Sequence, residues 1–241
     1  MKLKVCGMKY LENIQQVAAL QPDYLGFIFY EKSKRNFDGI IPKLPKSIKK
    51  TGVFVNATVD EIVSKIKQFD LQAVQLHGDE TVEYIKELKC RFEQSEKHHQ
   101  KKLIQTLDGA CIKRSLNAGG NSSVEVIKVF GIKNEFNFDV LKPYVDVVDF
   151  FLFDTKGKER GGNGITFDWK VLKEYPFSKP FFLSGGVGLE NTDNVLSFLR
   201  RQESNYCYAL DVNSKFESEP GVKKIKELKN FKESVITNVV K

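Results

Sequence analysis

Eight short apolar segments, rich in β-branched and aromatic residues, recur along the chain at 3–6, 24–29, 52–56, 73–77, 124–130, 147–154, 180–185 and 207–212. Several are apolar almost throughout. That pattern suits parallel strands covered on both faces better than an antiparallel sheet with one face in water. Helical stripes fall between most of them: Leu11, Ile14, Val17 and Ala18; Ile62, Val63, Ile66 and Phe69; Val82, Ile85 and Leu88; Val195, Leu196 and Leu199; and Val222, Ile225, Leu228 and Phe231. Thr58-Val59-Asp60-Glu61 ahead of the second stripe is a capping-box pattern, whose side chains satisfy the open amides of a first helical turn. Residues 36–49 are the weak link, because Pro42 and Pro45 would interrupt a helix there.

Strand and helix alternating eight times in 241 residues predicts an α/β fold, a single (β/α)₈ barrel spanning residues 1–241. An open doubly wound sheet would carry a Gly-x-Gly-x-x-Gly turn after an early strand, and Cys6-Gly7-Met8-Lys9-Tyr10 has none. One interval is out of scale: about 50 residues separate the starts of the fourth and fifth segments, so a polar insertion is expected at about 90–123. It reads as an elaborated helix and loop.

Composition narrows the function classes. The 41% hydrophobic residues are ample for a core. No run approaches the roughly eighteen apolar residues of a membrane span, and no secretory leader is evident, so a cytoplasmic location is expected with no membrane partner. The net charge of +7 comes from lysines that mostly alternate with acids, as on a solvated surface, and no nucleic acid partner is expected. Cys6, Cys90, Cys111 and Cys207 form no Cys-x-x-Cys pair, and His98 and His99 with Cys90 match no standard metal spacing. No metal site is expected.

In a barrel of this kind the chemistry sits at the carboxyl ends of the strands. Cys6 ends the first segment and is a candidate catalytic group. Asp154 ends the sixth. A carboxyl emerging from an apolar strand is desolvated, which raises its pKa and keeps it available as a proton donor; a helix cap or a structural hydrogen bond is the other reading. The loop that follows holds Gly161, Gly162 and Gly164, which would let it bend closely around a ligand as a lid, and Thr166 is expected to cap the next helix. Trp169 reads as a packing anchor.

Gly185 and Gly186 follow the seventh segment, and Asp211, Asn213 and Ser214 lie at the end of the eighth. Loops at these two places commonly build a phosphate site from backbone amides. Arg35 follows the second segment, where its planar fork could grip a carboxylate, although an isolated arginine is also an ordinary surface residue. His77 closes the fourth segment and reads as either a base or a structural hydrogen-bonding group, outside the catalytic set.

These landmarks resemble, in order and nearly end to end, the phosphoribosylanthranilate isomerase family of tryptophan biosynthesis. They are Lys4-Val5-Cys6-Gly7, Gly26-Phe27-Ile28-Phe29, Ser33-Lys34-Arg35, Val74-Gln75-Leu76-His77-Gly78, Asp154-Thr155, Gly161-Gly162-Asn163-Gly164, Thr166-Phe167-Asp168-Trp169, Leu183-Ser184-Gly185-Gly186 and Asp211-Val212-Asn213-Ser214. The resemblance implies a cofactor-free Amadori rearrangement on a small phosphorylated substrate. Cys6 would be the general base and Asp154 the general acid. Arg35 would hold the anthranilate carboxylate and Asp211 face the sugar hydroxyls. Gly185, Gly186, Asn213 and Ser214 would supply phosphate-binding amides, in a monomer or homodimer. Val187, Asn213 and Lys215 depart from the usual pattern, and Lys215 brings a charge to the expected phosphate loop.

Two other readings compete. A different phosphate-binding barrel, an indole-glycerol-phosphate synthase or a pentose-phosphate epimerase, would place lysine and glutamate, or histidine and aspartate metal ligands, at strand ends. A non-catalytic sensor or scaffold would use residues 90–123 as its contact surface and lack a catalytic group.

Overall fold

A computed structural model describes residues 1–92, 124–155 and 167–237. Eight parallel strands close into a barrel in chain order: β1 (Lys2–Val5), β2 (Tyr24–Phe29), β3 (Lys49–Phe54), β4 (Ala73–Leu76), β5 (Glu125–Ile132), β6 (Phe150–Thr155), β7 (Phe181–Leu183) and β8 (Cys207–Val212). Closure is made by β1 on β8, with Lys4 opposite Asp211 and Val5 opposite Val212. All eight expected strands are present, several displaced by a few residues. Much of the expected insertion, with Cys111, His98 and His99, lies outside the described residues, as do Gly161, Gly162, Gly164 and Thr166.

The helices are less regular than the strands. Among the described residues the α-helices are α1 (Leu11–Ala19), α2 (Val59–Phe69), α3 (residues 82–92), α4 (Thr192–Leu199) and α5 (Ile225–Phe231). In α2 the Thr58 hydroxyl accepts from the Glu61 amide at 3.2 Å, as the capping pattern predicts. Residues 36–49 form no helix. Among the described residues, the β5–β6 connection holds the 3₁₀ turn Phe138–Tyr144 and the β6–β7 connection the 3₁₀ turn Trp169–Glu174, where the alternation predicts α-helices. The second turn is capped by Asp168, whose carboxylate accepts from the Lys170 amide at 3.0 Å. Trp169 is buried and meets Phe198 edge-on, as a packing anchor does.

Two expected helical positions are also corrected. Leu11 is 50% exposed, because α1 packs through Asn13, Ile14, Val17 and Ala18. Val222 belongs to a small antiparallel hairpin, β9 (Glu217–Glu219) and β10 (Val222–Lys223), that precedes α5. Its turn passes through Gly221 at φ +91°, a backbone that disfavours other residues and stops the helix from starting earlier.

Strand alternation sorts the side chains into two layers. Between barrel and helices lies the larger core, with Val5, Leu25, Phe27, Phe54, Leu76, Phe151 and Phe153 among its members. Inside the barrel a separate cluster of Tyr24, Ala73, Ile127, Val129, Phe150, Leu152, Phe182 and Ala209 forms a floor. Further along the same inward faces, by one or two pleats, stand Cys6, His77, Asp154, Ser184, Asp211 and Asn213. The floor excludes water from below and the polar side chains face the open end. Among the described residues, no helix is long and apolar enough to cross a membrane.

Candidate active site

A cavity of about 400 Å³ opens at the carboxyl ends of the strands, and all eight residues expected to act or bind line it: Cys6, Arg35, Asp154, Gly185, Gly186, Asp211, Asn213 and Ser214. His77, Gln75, Ser184, Lys32 and Lys215 also contribute to its wall.

Cys6 follows β1 and continues its ladder, its amide donating to the Val212 carbonyl at 2.9 Å. Gly26 on β2 leaves it room: a Cβ there would come within 2.8 Å of the Cys6 sulfur. Burial pushes the Cys6 thiol above its usual pKa, and the nearby Asp211 carboxylate acts in the same direction. The Lys4 and Lys223 ammonium groups pull the other way without overcoming it.

Asp154 is buried on β6, where its Oδ1 accepts from the Thr155 amide at 2.9 Å. Burial, reinforced by the charge of Asp211, lifts its carboxyl to about 6. The hydrogen bonds from the Thr155 amide and the Ser184 side chain, and the charge of Lys4, oppose that rise. His77 approaches from β4, its Nε2 lying 3.8 Å from Asp154 Oδ2.

Asp211 is buried and ion-paired to Lys4, whose Nζ donates to its Oδ1 at 2.8 Å. Burial alone would lower the pKa of Lys4; Asp211 and Cys6 together outweigh it and the net direction is upward. Lys4 and Cys6 stand two residues apart on one strand, so both face the barrel interior.

Gly185 and Gly186 turn the chain out of β7 with φ of +86° and +72°. A Cβ at Gly185 would strike the Thr155 hydroxyl at 2.2 Å, which reserves that position for glycine on steric as well as conformational grounds. Asn191 braces the turn, its Nδ2 donating to the Gly186 carbonyl at 2.8 Å. Ser214 opens a short 3₁₀ turn after β8, and the next residue, Lys215, pairs with Glu190 at 2.6 Å across the mouth.

Arg35 reaches the cavity with part of its guanidinium already engaged. Its Nε donates to both oxygens of Glu217, at 3.0 and 2.9 Å, and its Nη2 to Oε2 at 2.7 Å. Glu217 in turn accepts from Lys223 Nζ at 2.6 Å and from the Gly221 amide at 3.1 Å. Lys223 also donates to Asn213 Oδ1 at 2.7 Å, which fixes the orientation of that side chain. Burial lowers the pKa of Lys223 to about 8.

Lys4, Glu217 and Lys223 are the residues that sequence reasoning missed. Lys4 had a usable signal in its spacing from Cys6; the other two looked like solvated charges. Among the described residues, no group of three or more His, Cys, Asp or Glu side chains could hold a metal ion.

The model of one protein family, described as N-(5'-phosphoribosyl)anthranilate isomerase, matches residues 3–115 and 100–234. A protein of that name from Parabacteroides distasonis is 35% identical, over 98% of this chain and 94% of its own length. The crystal structure of phosphoribosyl anthranilate isomerase from Thermotoga maritima is 29% identical, with a TM-score of 0.70 over 98% of this chain and 99% of that one. A further structure of such an isomerase, in complex with reduced 1-(o-carboxyphenylamino)-1-deoxyribulose 5-phosphate, is 26% identical with a TM-score of 0.67 and the same coverage.

Proposed function

This chain belongs to the N-(5'-phosphoribosyl)anthranilate isomerase family, and we propose that it performs the family's rearrangement with Cys6 as general base and Asp154 as general acid. The protein is thus an aldose–ketose isomerase of tryptophan biosynthesis, converting N-(5'-phosphoribosyl)anthranilate to 1-(2-carboxyphenylamino)-1-deoxyribulose 5-phosphate. The observation that carries the residue roles is one cavity, floored by apolar side chains, into which Cys6 and Asp154 both project.

The reaction needs a proton delivered and a proton removed. Protonated Asp154 donates to the furanose ring oxygen as the bond from that oxygen to C1 breaks. The amine lone pair forms the C1–N double bond, giving an iminium cation. Cys6, as thiolate, takes the proton from C2. The electrons of that C–H bond form the C1–C2 double bond and neutralise the iminium, and the resulting enolamine tautomerises to the ketone. The iminium is itself the electron sink.

Burial sets the resting pair against these roles. Near neutral pH a carboxyl held at about 6 is mostly ionised and a thiol pushed above its usual value is mostly protonated. The working form, acid on Asp154 and thiolate on Cys6, is therefore a minority state of the free protein. A cation developing on the substrate within this water-poor space favours the thiolate and draws the pair into that form.

Arg35 holds the aromatic carboxylate and Asp211 faces the sugar hydroxyls. The phosphate lies against the backbone amides of Gly185, Gly186, Asn213 and Ser214, with Lys215 at the rim. The test is loss of phosphoribosylanthranilate fluorescence in a coupled assay. Cys6→Ala and Asp154→Asn should each abolish turnover while leaving product-analogue binding largely intact; full activity in either variant overturns the assignment.

A further inference from the structure

We propose that Glu217 is a positioning residue for substrate recognition: it fixes which edge of the Arg35 guanidinium is presented to the aromatic carboxylate of the substrate. The inference rests on the reading of Arg35 as the carboxylate-binding residue.

A guanidinium carries five N–H donors in a rigid plane, two on each terminal nitrogen and one on Nε. The Nε and Nη2 edge is occupied by Glu217. One Nη1 donor and the second Nη2 donor remain side by side on the terminal edge of the plane, while the other Nη1 donor faces Cδ. That edge can still form two parallel bonds to a second carboxylate. Without Glu217 the same side chain could offer either edge and rotate about its stem, and the substrate would have to order it.

Glu217 is itself held in place. Its side chain is 4% exposed, and Gly221 and Lys223 both donate to its Oε1. Lys223 is anchored in turn, its amide donating to Asn13 Oδ1 at 2.7 Å and its carbonyl accepting from Asn13 Nδ2 at 3.0 Å. The stem of Arg35 is confined from the other side, where a Cβ at Gly7 would meet its Cδ at 2.8 Å. The orientation of the guanidinium is thus set by β9, β10, α1 and the turn after β1 before any substrate arrives. Two cations share the single carboxylate of Glu217, so the assembly keeps a positive surplus toward the cavity. A buried ion pair that only stapled the hairpin to the barrel would need no free guanidinium edge at the cavity wall, yet Arg35 lines it.

The experiment compares two ligands by calorimetry: reduced 1-(o-carboxyphenylamino)-1-deoxyribulose 5-phosphate, and the same compound made from aniline, which lacks only the aromatic carboxylate. Glu217→Gln keeps the shape of the side chain but turns either an amide donor or a neutral oxygen toward Arg35. It should weaken the carboxylated ligand by about tenfold and the other by less than twofold. Glu217→Asp keeps the charge and retracts it by one methylene, so it should show the same selective loss and serves if the glutamine variant does not fold. Arg35→Ala supplies the reference. If it is selective and neither Glu217 variant is, this inference is overturned while the role of Arg35 stands. If Arg35→Ala weakens both ligands alike, the role of Arg35 fails and the inference with it. Equal weakening of both ligands by the Glu217 variants marks a structural staple and also overturns it.

Discussion

Lys4 and Asp211 are register partners across the seam that closes the barrel, and their side chains meet at 2.8 Å inside it, 0% and 5% exposed. The pair stands two residues before Cys6 on the same inward face, so the strand pairing that completes the fold also sets the charges around the thiol.

Removing one member of that pair leaves the other ionised without a partner in a dry site. Lys4→Met should cost about 3–5 kcal/mol in urea unfolding, and Lys4→Met combined with Asp211→Leu should recover much of it. The single variant should also slow Cys6 alkylation, because the loss of the ammonium removes a charge that favours the thiolate.

Asp154 should make its stability cost visible in the pH dependence of unfolding. Its folded pKa, about 6, lies above the unfolded value of 3.8. The native state therefore holds the proton more tightly, and stability associated with this group is fully present below 3.8 and lost as pH rises through about 6. Asp154→Asn should match the wild type at pH 3.5 and exceed it at pH 7 by up to about 3 kcal/mol, measured by urea denaturation.

Cys6 should alkylate slowly with iodoacetamide at pH 7, and its rate should keep rising past the pH at which a free thiol, near 8.5, has levelled off. Peptide mapping separates it from the exposed Cys90. A reactive Cys6 at pH 7 in the free protein would contradict the minority-thiolate mechanism.

Gly26→Ala should displace the base without touching any polar group. The new methyl would meet the Cys6 sulfur at 2.8 Å and its Cα at 3.1 Å. The expected outcome is a stability loss of about 1–3 kcal/mol with a steep fall in kcat, read by thermal unfolding and steady-state assay.

Lys215 should add to phosphate affinity from the rim. Lys215→Ala is expected to raise KM about threefold to tenfold at low salt, with the difference shrinking as salt screens the charge. Glu190→Gln frees the ammonium from its present partner and should lower KM.

The barrel was legible because each strand announces itself locally as an apolar run, and the carboxyl ends of those runs carry Cys6, Asp154, Gly185 and Asp211. The helices were harder. Val222 fits a helical spacing with Ile225 and Leu228, yet Gly221 and the hairpin claim it first. Leu11 fits its stripe as well, but the face that packs is set by Asn13, a polar residue bonded to the Lys223 backbone from 210 positions away. Glu217 and Lys223 were invisible for the same reason. A charge is read as solvated unless its surroundings are close in sequence, and Arg35 and Asn13, which hold this pair in place, lie 182 and 210 positions away.

The seam also bears on the order in which the molecule can be made. Lys4 waits 207 residues for Asp211, and Arg35 waits 182 for Glu217. A ribosome releases the two early cations long before either carboxylate exists. Until β8 is in place they have water as their counterpart, and the nascent chain holds an open sheet with two solvated charges where a site will be. The stretch from β8 to the start of β9 neutralises both charges and seals the barrel, so a chain that stops short of Asp211 has neither.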